Sequence, residues 1–378
     1  LRRFFVAAAF TVLIDGAAAA KTLPLKLCLT GTLPKVFPNY GEAFWNGAEM
    51  ALAESGAAKA FILERFYYDQ NPLAPRDAMS DMLKAGCHAA LGFDFTNDLM
   101  VVREKAESEG LLILSMYGAM NPSLDTSGVI RSYQVPPVIL VERLLAFVEG
   151  SLKRRLKKVL LVTTVDWDEL KDFRDAAVER LKMSKTEYLL VNQVEASFRV
   201  ADVEAELKRQ KEPFDGILLF VRSRPAAEVA DLVWKTYAKG AAPLLLGTKF
   251  FGTSTLPAFT NMLKYKEVTT YFTHQATNED PDPAYQTFVK RYEKAYAKPP
   301  MGLAALVYDA VSLVAKAGFD LRFEPGASDA KMRRALVDSV RSIDHHGITG
   351  VKVKKGLEFS YHKTFVIKTD AGGYHLVE

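Results

Sequence analysis

Cysteine, histidine and tryptophan are all scarce in this chain, at two, six and three among 378 residues. Two cysteines cannot build a disulfide scaffold, and they form no C-x-x-C pair for redox exchange or zinc. The histidines make no H-E-x-x-H pattern, and the adjacent His345 and His346 precede a turn, where neighbouring rings rarely share one ion; no metal site is expected. G-x-S-x-G and the phosphate-cradling G-x-x-x-x-G-K are missing too, so the sequence offers no catalytic residue and no cofactor site. Charge of one sign is also lacking, since 49 Lys and Arg face 45 Asp and Glu for a net +4. The basic run Lys153, Arg154, Arg155, Lys157, Lys158 has no interleaved aromatics and leads straight into an apolar segment. It reads as a solvated helix end and not as a nucleic-acid surface.

What is present begins at the amino terminus. Arg2 and Arg3 precede an apolar run, Phe4 to Ile14, which is too short to span a bilayer. Asp15-Gly16 and Ala17 to Ala20 follow. This order of charged, apolar and small residues predicts a signal peptide over residues 1–20, cleaved before Lys21, and hence an exported protein. Without that segment's two arginines and one aspartate the net charge is +3. Export permits Cys28 and Cys87 to pair. Their Cα atoms would have to approach within about 7 Å, with Cys28 inside the first predicted strand and Cys87 just before the third. The reading leans towards two free thiols and leaves the pair open.

From Leu25 the chain alternates strand and helix. Leu25 to Leu29 is an apolar strand, broken at Thr30-Gly31. Phe44, Gly47, Ala48, Ala51 and Leu52 then recur at helical spacing. Strands follow at Phe61 to Asp69, His88 to Phe95 and Leu111 to Tyr117, with helices between them. Thr96-Asn97-Asp98 reads as the N-cap cluster of a helix to Glu109. After VIRSYQV (129–135) and Pro136-Pro137 the rhythm repeats through KKVLLVTT, EYLLVNQV, FDGILLFV and PLLLG. This pattern predicts an α/β fold with parallel sheets covered on both faces, wound twice over and joined near residue 133. The last hundred residues differ: three helices, then short alternating strands with hairpin turns at Lys355-Gly356 and Asp370 to Gly373.

Several segments together resemble the type I periplasmic solute-binding proteins, in their leucine/isoleucine/valine-binding branch. The likeness is carried by LCLTG…YGEAFWNGAEMALAES, LGFDFT, ILSMYGAMNP, FVKRYEKAYAKPP…ALVYDAVSLVAKA and HGITGVKVKKGLEF, and it covers essentially the whole chain after residue 20. It implies two Rossmann-like lobes joined by a three-crossover hinge. Residues 21–133 and 274–353 would form the first lobe, and 134–273 and 354–378 the second. The implied protein is a periplasmic receptor and not an enzyme. It would work as a monomer, close on a small carboxylate-bearing solute, and deliver it to the membrane permease and ATPase of an ABC importer. A sensory protein using the same cleft to bias a protein partner is the alternative.

The resemblance also implies site residues. Thr96, followed by Asn97, matches the hydroxyl that receives a ligand carboxylate, although a plain helix cap explains it as well. Gly118, Ala119 and Met120 match a segment offering backbone groups and a threonine hydroxyl, and Met120 lacks that hydroxyl. Lys249 stands where amino acid binders place an acid against the ligand ammonium, and Trp167-Asp168 replaces a tyrosine-glycine. The losses at Met120 and Lys249 weaken both partners expected for a ligand ammonium and keep the anion end. The expected solute is therefore a carboxylate without an α-ammonium, an aromatic or branched acid, with Lys249 and Arg222 as counter-charges. A lysine reaching out of a loop into solvent is the competing account of Lys249. Tyr40, Phe95, Tyr117, Trp167 and Phe250, together with Phe37, are candidate cleft aromatics or simple loop packing. Asp69 and Asp166, at strand ends, read as turn caps.

Overall fold

The computed structural model describes residues 23–118, 124, 126–237, 242–252, 255 and 257–378. The expected signal peptide lies outside the described residues. The first apolar run forms strand β1 (Leu25–Gly31), in which Leu25, Leu27, Cys28 and Leu29 are all buried. A strand with no wet face belongs inside a sheet that helices cover on both sides. One helical turn, α1 (Leu33–Val36), leads to α2 (Pro38–Glu54), whose stripe of Phe44, Ala48, Ala51 and Leu52 is buried. Gly47 belongs to that stripe for a different reason. A Cβ there would lie 2.4 Å from the carbonyl oxygen of Ala304, so only glycine allows the two backbones to approach so closely.

The first sheet is completed by β2 (Phe61–Tyr67), α3 (Ala74–Lys84), β3 (Ala89–Gly92), α4 (Thr96–Glu109), β4 (Leu112–Ser115) and β5 (Ile130–Ser132). Its strand order is β2-β1-β3-β4-β5, with every pairing parallel. The second series runs α5 (Pro137–Gly150), β6 (Lys158–Thr164), α6 (Asp168–Met183), β7 (Glu187–Gln193), α7 (Val200–Arg209), β8 (Gly216–Phe220), α8 (Ser223–Tyr237), β9 (Leu244–Gly247), α9 (Ala258–Met262) and β10 (Thr270–His274). Those strands lie in the order β7-β6-β8-β9-β10, the same winding as in the first sheet. The fold is the expected one, two similarly wound α/β lobes.

The chain then returns. Helices α10 (Pro283–Tyr296), α11 (Gly302–Gly318) and α12 (Asp329–Ser342) bury Phe288, Leu306, Val314 and Leu336 in the core of the first lobe. A small antiparallel sheet of β11 (His345–His346), β12 (Val351–Lys354) and β13 (Glu358–Tyr361) joins that core through Val351, Val353 and Leu357. The boundary expected at 353/354 thus falls inside a hairpin that packs as one piece with the first lobe, because Lys354 pairs with Glu358. Only β14 (Phe365–Asp370) and β15 (Gly373–Leu376) extend the second sheet, antiparallel to β10 and to each other.

Three chain passages therefore link the lobes, and hydrogen bonds tie them together. Val135 N–H donates to Gln275 Oε1 (2.8 Å), and Tyr361 Oη–H donates to the Ser132 carbonyl (2.8 Å). Lys363 Nζ lies 3.0 Å from Asp280 Oδ2 and 2.7 Å from Asp282 Oδ2.

The pairing that the sequence leaves open, while leaning against it, is made in the structure. Cys28 and Cys87 are joined in a disulfide with Cα atoms 6.0 Å apart. Sheet order is the reason: β1 lies next to β3, and Cys87 sits two residues ahead of β3. Thiol titration of the denatured, unreduced protein should find neither cysteine free. The Cys28→Ala/Cys87→Ala variant should lose about 2–4 kcal/mol of stability in denaturant melts, as expected for opening a loop that spans 59 residues.

Candidate functional site

Both sheets change winding direction at their first strand, and in such sheets the crevice outside the strands' carboxyl ends is the place where a guest can sit. The strands around β1 and β6 deliver their following residues to that crevice. Leu33 comes after β1, Phe95 and Thr96 after β3, Trp167 and Glu169 after β6, and Arg222 and Ser223 after β8. Gly92 makes the turn after β3 possible, because at φ 124° a Cβ would strike the Thr30 carbonyl at 1.8 Å. Two adjoining cavities of about 410 and 400 Å³ lie between the lobes and share Gln70, Phe95, Trp167, Glu169 and Arg222 in their walls.

The first cavity is aromatic. Phe37, Tyr40, Phe95, Tyr117, Trp167 and Phe250 line it, with Leu33, Met262, Met301 and Leu303. Phe95 of one lobe meets Trp167 of the other edge-on at 5.4 Å, and Tyr40 lies 6.1 Å from Tyr117. Burial pushes the Tyr40 phenol up to about 12, so the hydroxyls on this wall stay protonated. Two long helices point their amino ends here, α8 through Ser223 and Arg224 and α11 through Gly302 and Leu303. Their unpaired N–H groups favour negative charge. The Arg222 guanidinium sits 4.8 Å from the Trp167 ring and 3.5 Å from Glu195 Oε1.

Lys249 is also in this wall, and it does not reach into solvent: the residue is only 8 % exposed. Its Nζ lies 2.7 Å from Glu169 Oε1 and donates to Gln134 Oε1, while Gln134 Nε2 donates to the same Glu169 oxygen. The Tyr117 and Phe250 rings lie 5.3 and 5.5 Å from the ammonium. Burial draws the Lys249 pKa down, and Glu169 opposes that shift. Nearby His274 is held down to about 4 by burial and by the Lys249 charge, and its Nδ1 accepts the Ala276 N–H (3.1 Å). Neutral pH therefore leaves it an uncharged imidazole.

The second cavity has more polar side chains in its wall than the first. Thr96, Asn97 and Asp98 line it from the start of α4, with Asp69 and Asn71 from the same lobe and Asp166 and Asp168 from the other. Thr96 is the first helical residue, and Phe95, in extended backbone, holds the cap position without a hydrogen bond from its own side chain. Most carboxylates here are already engaged. Asp69 pairs with Lys35 (2.8 Å), Asp168 with Lys171 (2.7 Å), and Asp98 accepts from Tyr68 Oη–H (2.7 Å). Asp166 accepts the Glu195 N–H (3.2 Å), as expected of a turn cap.

The remaining expected residues fare differently. Gly118 lines neither cavity, and its N–H is spent on Ser115 Oγ (2.8 Å), so it offers no donor to a guest. Ala119 and Met120 lie outside the described residues. Sequence reasoning missed Gln134, Glu169, Glu195, Ser223 and His274. Glu169 had one legible signal, an acid two residues after the candidate Trp167. Nothing local marks Gln134 or His274. Among the described residues no cluster of histidine, cysteine and acidic side chains could hold a metal ion. No helix among them is long and apolar enough to cross a membrane.

Beneath the site, Asp94 is buried and accepts the Leu33 N–H at 2.8 Å, which fixes the loop after β1. Burial lifts its carboxyl from 3.8 to about 7. A raised carboxyl pKa favours folding below the unfolded value and loses that contribution as pH rises through the folded one. The stability of Asp94→Asn relative to the unaltered chain should therefore shift in the variant's favour by about 1–3 kcal/mol between pH 5 and pH 8. Denaturant melts at the two pH values measure this.

No protein-family model matches the chain, and no curated protein does. Solved structures do. The leucine-binding protein LivK of Thermotoga maritima superposes with a TM-score of 0.75 at 14% identity, over 94% of this chain and 98% of that one. LivJ of Streptococcus pneumoniae, solved with isoleucine, gives 0.72 at 17% over 94% and 99%. A solute-binding protein of a Rhodopseudomonas palustris ABC transporter, solved with benzoate, gives 0.71 at 16% over 94% and 95%. With its two equally wound sheets and three linking passages, the chain has the fold of the type I periplasmic binding proteins.

Proposed function

We propose that this protein is the extracytoplasmic solute receptor of an ABC importer, a periplasmic monomer that closes on a small organic acid and hands it to a membrane permease driven by an ATPase. The solute class is a single-ring aromatic carboxylate without an α-ammonium. One observation carries this reading: the interlobe cavity is walled by six aromatic rings and already contains a paired ammonium, that of Lys249. Its volume of about 410 Å³ suits one ring and its substituents. Tyr40, Phe95, Tyr117, Trp167 and Phe250 supply ring contacts at 4.5–7 Å spacing, worth about 0.5–1.5 kcal/mol each beyond burial. Arg222 and the amino end of α8 receive the carboxylate, and Thr96 and Asn97 face it from the neighbouring cavity. Structural relatives support the class, since one was solved with benzoate and another with 3,4-dihydroxybenzoic acid.

A thermal-shift screen tests this. Benzoates and aryl keto acids should raise the melting temperature by several degrees and quench the fluorescence of Trp167. Arg222→Met should weaken that binding roughly tenfold or more. Strong stabilisation by zwitterionic leucine or valine, with benzoates inert, would overturn the assignment.

A further inference from the structure

We infer that the cleft contains a cation subsite, defined by Glu169 and already filled by the protein's own Lys249 side chain, and that this internal occupant excludes solutes bearing an ammonium group. The inference deepens the receptor reading and takes its consequence for solute choice from it. Its structural content stands on the geometry of four side chains around one nitrogen.

The Lys249 ammonium is surrounded as a free ammonium ion would be. A carboxylate oxygen of Glu169 lies at 2.7 Å, the Gln134 amide oxygen accepts a second proton, and the Tyr117 and Phe250 rings approach to 5.3 and 5.5 Å. Both ring distances fall within the ~6 Å reach of a cation–π contact. The cage is fixed. Gln134 is 1% exposed, its backbone N–H donates to Ser132 Oγ at 2.9 Å, and its amide nitrogen is committed to Glu169, so its oxygen must face the cation. Because Lys249, Glu169, Tyr117 and Phe250 all line the aromatic cavity, the caged nitrogen sits in its wall and not in a separate core.

The consequence follows from electrostatics at short range. A solute ammonium entering this cavity finds the Glu169 charge already neutralised and meets a positive charge a few ångströms away in a poorly screened site. A carboxylate meets no such penalty. Shortening Lys249 should reverse the preference. Lys249→Ala removes three carbons and the nitrogen, which is the outline of a propylammonium ion, and leaves Glu169 and Gln134 facing the void.

The experiment is chemical rescue of the full chain, read as melting temperature against propylammonium chloride, with sodium chloride and 1-propanol as controls. Lys249→Ala should be destabilised, and propylammonium at tens of millimolar should raise its melting temperature by about 2–4 °C. The unaltered chain and Lys249→Ala/Glu169→Gln should not respond. If Lys249→Ala does not fold in plain buffer, refolding with propylammonium should recover it. Failure of that recovery, while the double variant folds, counts against the subsite. Equal responses in all three proteins, or a response to 1-propanol as large as to the amine, would overturn it. The outcomes are separable from the receptor reading. Amine rescue needs no natural solute, and benzoate binding by the unaltered chain can fail or succeed independently.

Discussion

The whole molecule depends on backbone hydrogen bonding in two sheets, one parallel and one mixed, whose central strands have no wet face. Burying β1, β3, β6 and β8 on both sides forces helices to cover them, and forces each connection to leave from a carboxyl end. The reversal of winding beside β1 and β6 then parts neighbouring loops and leaves a crevice in each lobe. When the two crevices face one another, residues far apart in sequence become neighbours. Phe95 meets Trp167 at 5.4 Å, and the Lys249 ammonium lies 5.3 Å from the Tyr117 ring, each residue coming from the loop after a strand.

The same topology explains why the charged groups of the cleft come in matched sets. A lysine buried at the end of β9 cannot remain alone, since an uncompensated charge there would cost several kcal/mol. Glu169 arrives from the first turn of α6 and Gln134 from the first interlobe passage, so one ion pair joins a strand end, a helix start and the hinge. Arg222 is balanced by Glu195 in the same manner at the cleft's edge. Both cations are thus held beside a carboxylate within the cleft wall, at 2.7 Å for Lys249 and 3.5 Å for Arg222.

Much of the fold was legible in the sequence because it is governed by period. The stripe from Phe44 to Leu52, the unbroken apolar strands and the repeated βα rhythm are local patterns, and each appears where expected. Of the residues singled out in the sequence, Phe95, Trp167, Arg222 and Lys249, which follow strand ends, line the aromatic cavity together with Phe37, Tyr40 and Tyr117. What could not be read is what depends on register and on contact across the lobes. The Cys28–Cys87 bond needs the strand order, and the Glu169 partnership of Lys249 needs two elements some eighty residues apart in sequence to dock. Gly118 misled for a related reason: its segment resembles a donor loop, yet Ser115 Oγ, three residues earlier, captures the donor.

The clasp of Lys363 on Asp280 and Asp282 bears on how such a molecule bends. Three independent ribbons between two bodies would permit twisting as well as bending, because each adds its own soft dihedral angles. Lys363 belongs to the third ribbon and the two aspartates to the stretch that follows the second, and Asp280 is only 2% exposed. Salt screens the buried Asp280 side of this contact less than it screens a surface pair. Two of the three ribbons are thus held side by side, and the soft dihedral angles between them no longer vary independently.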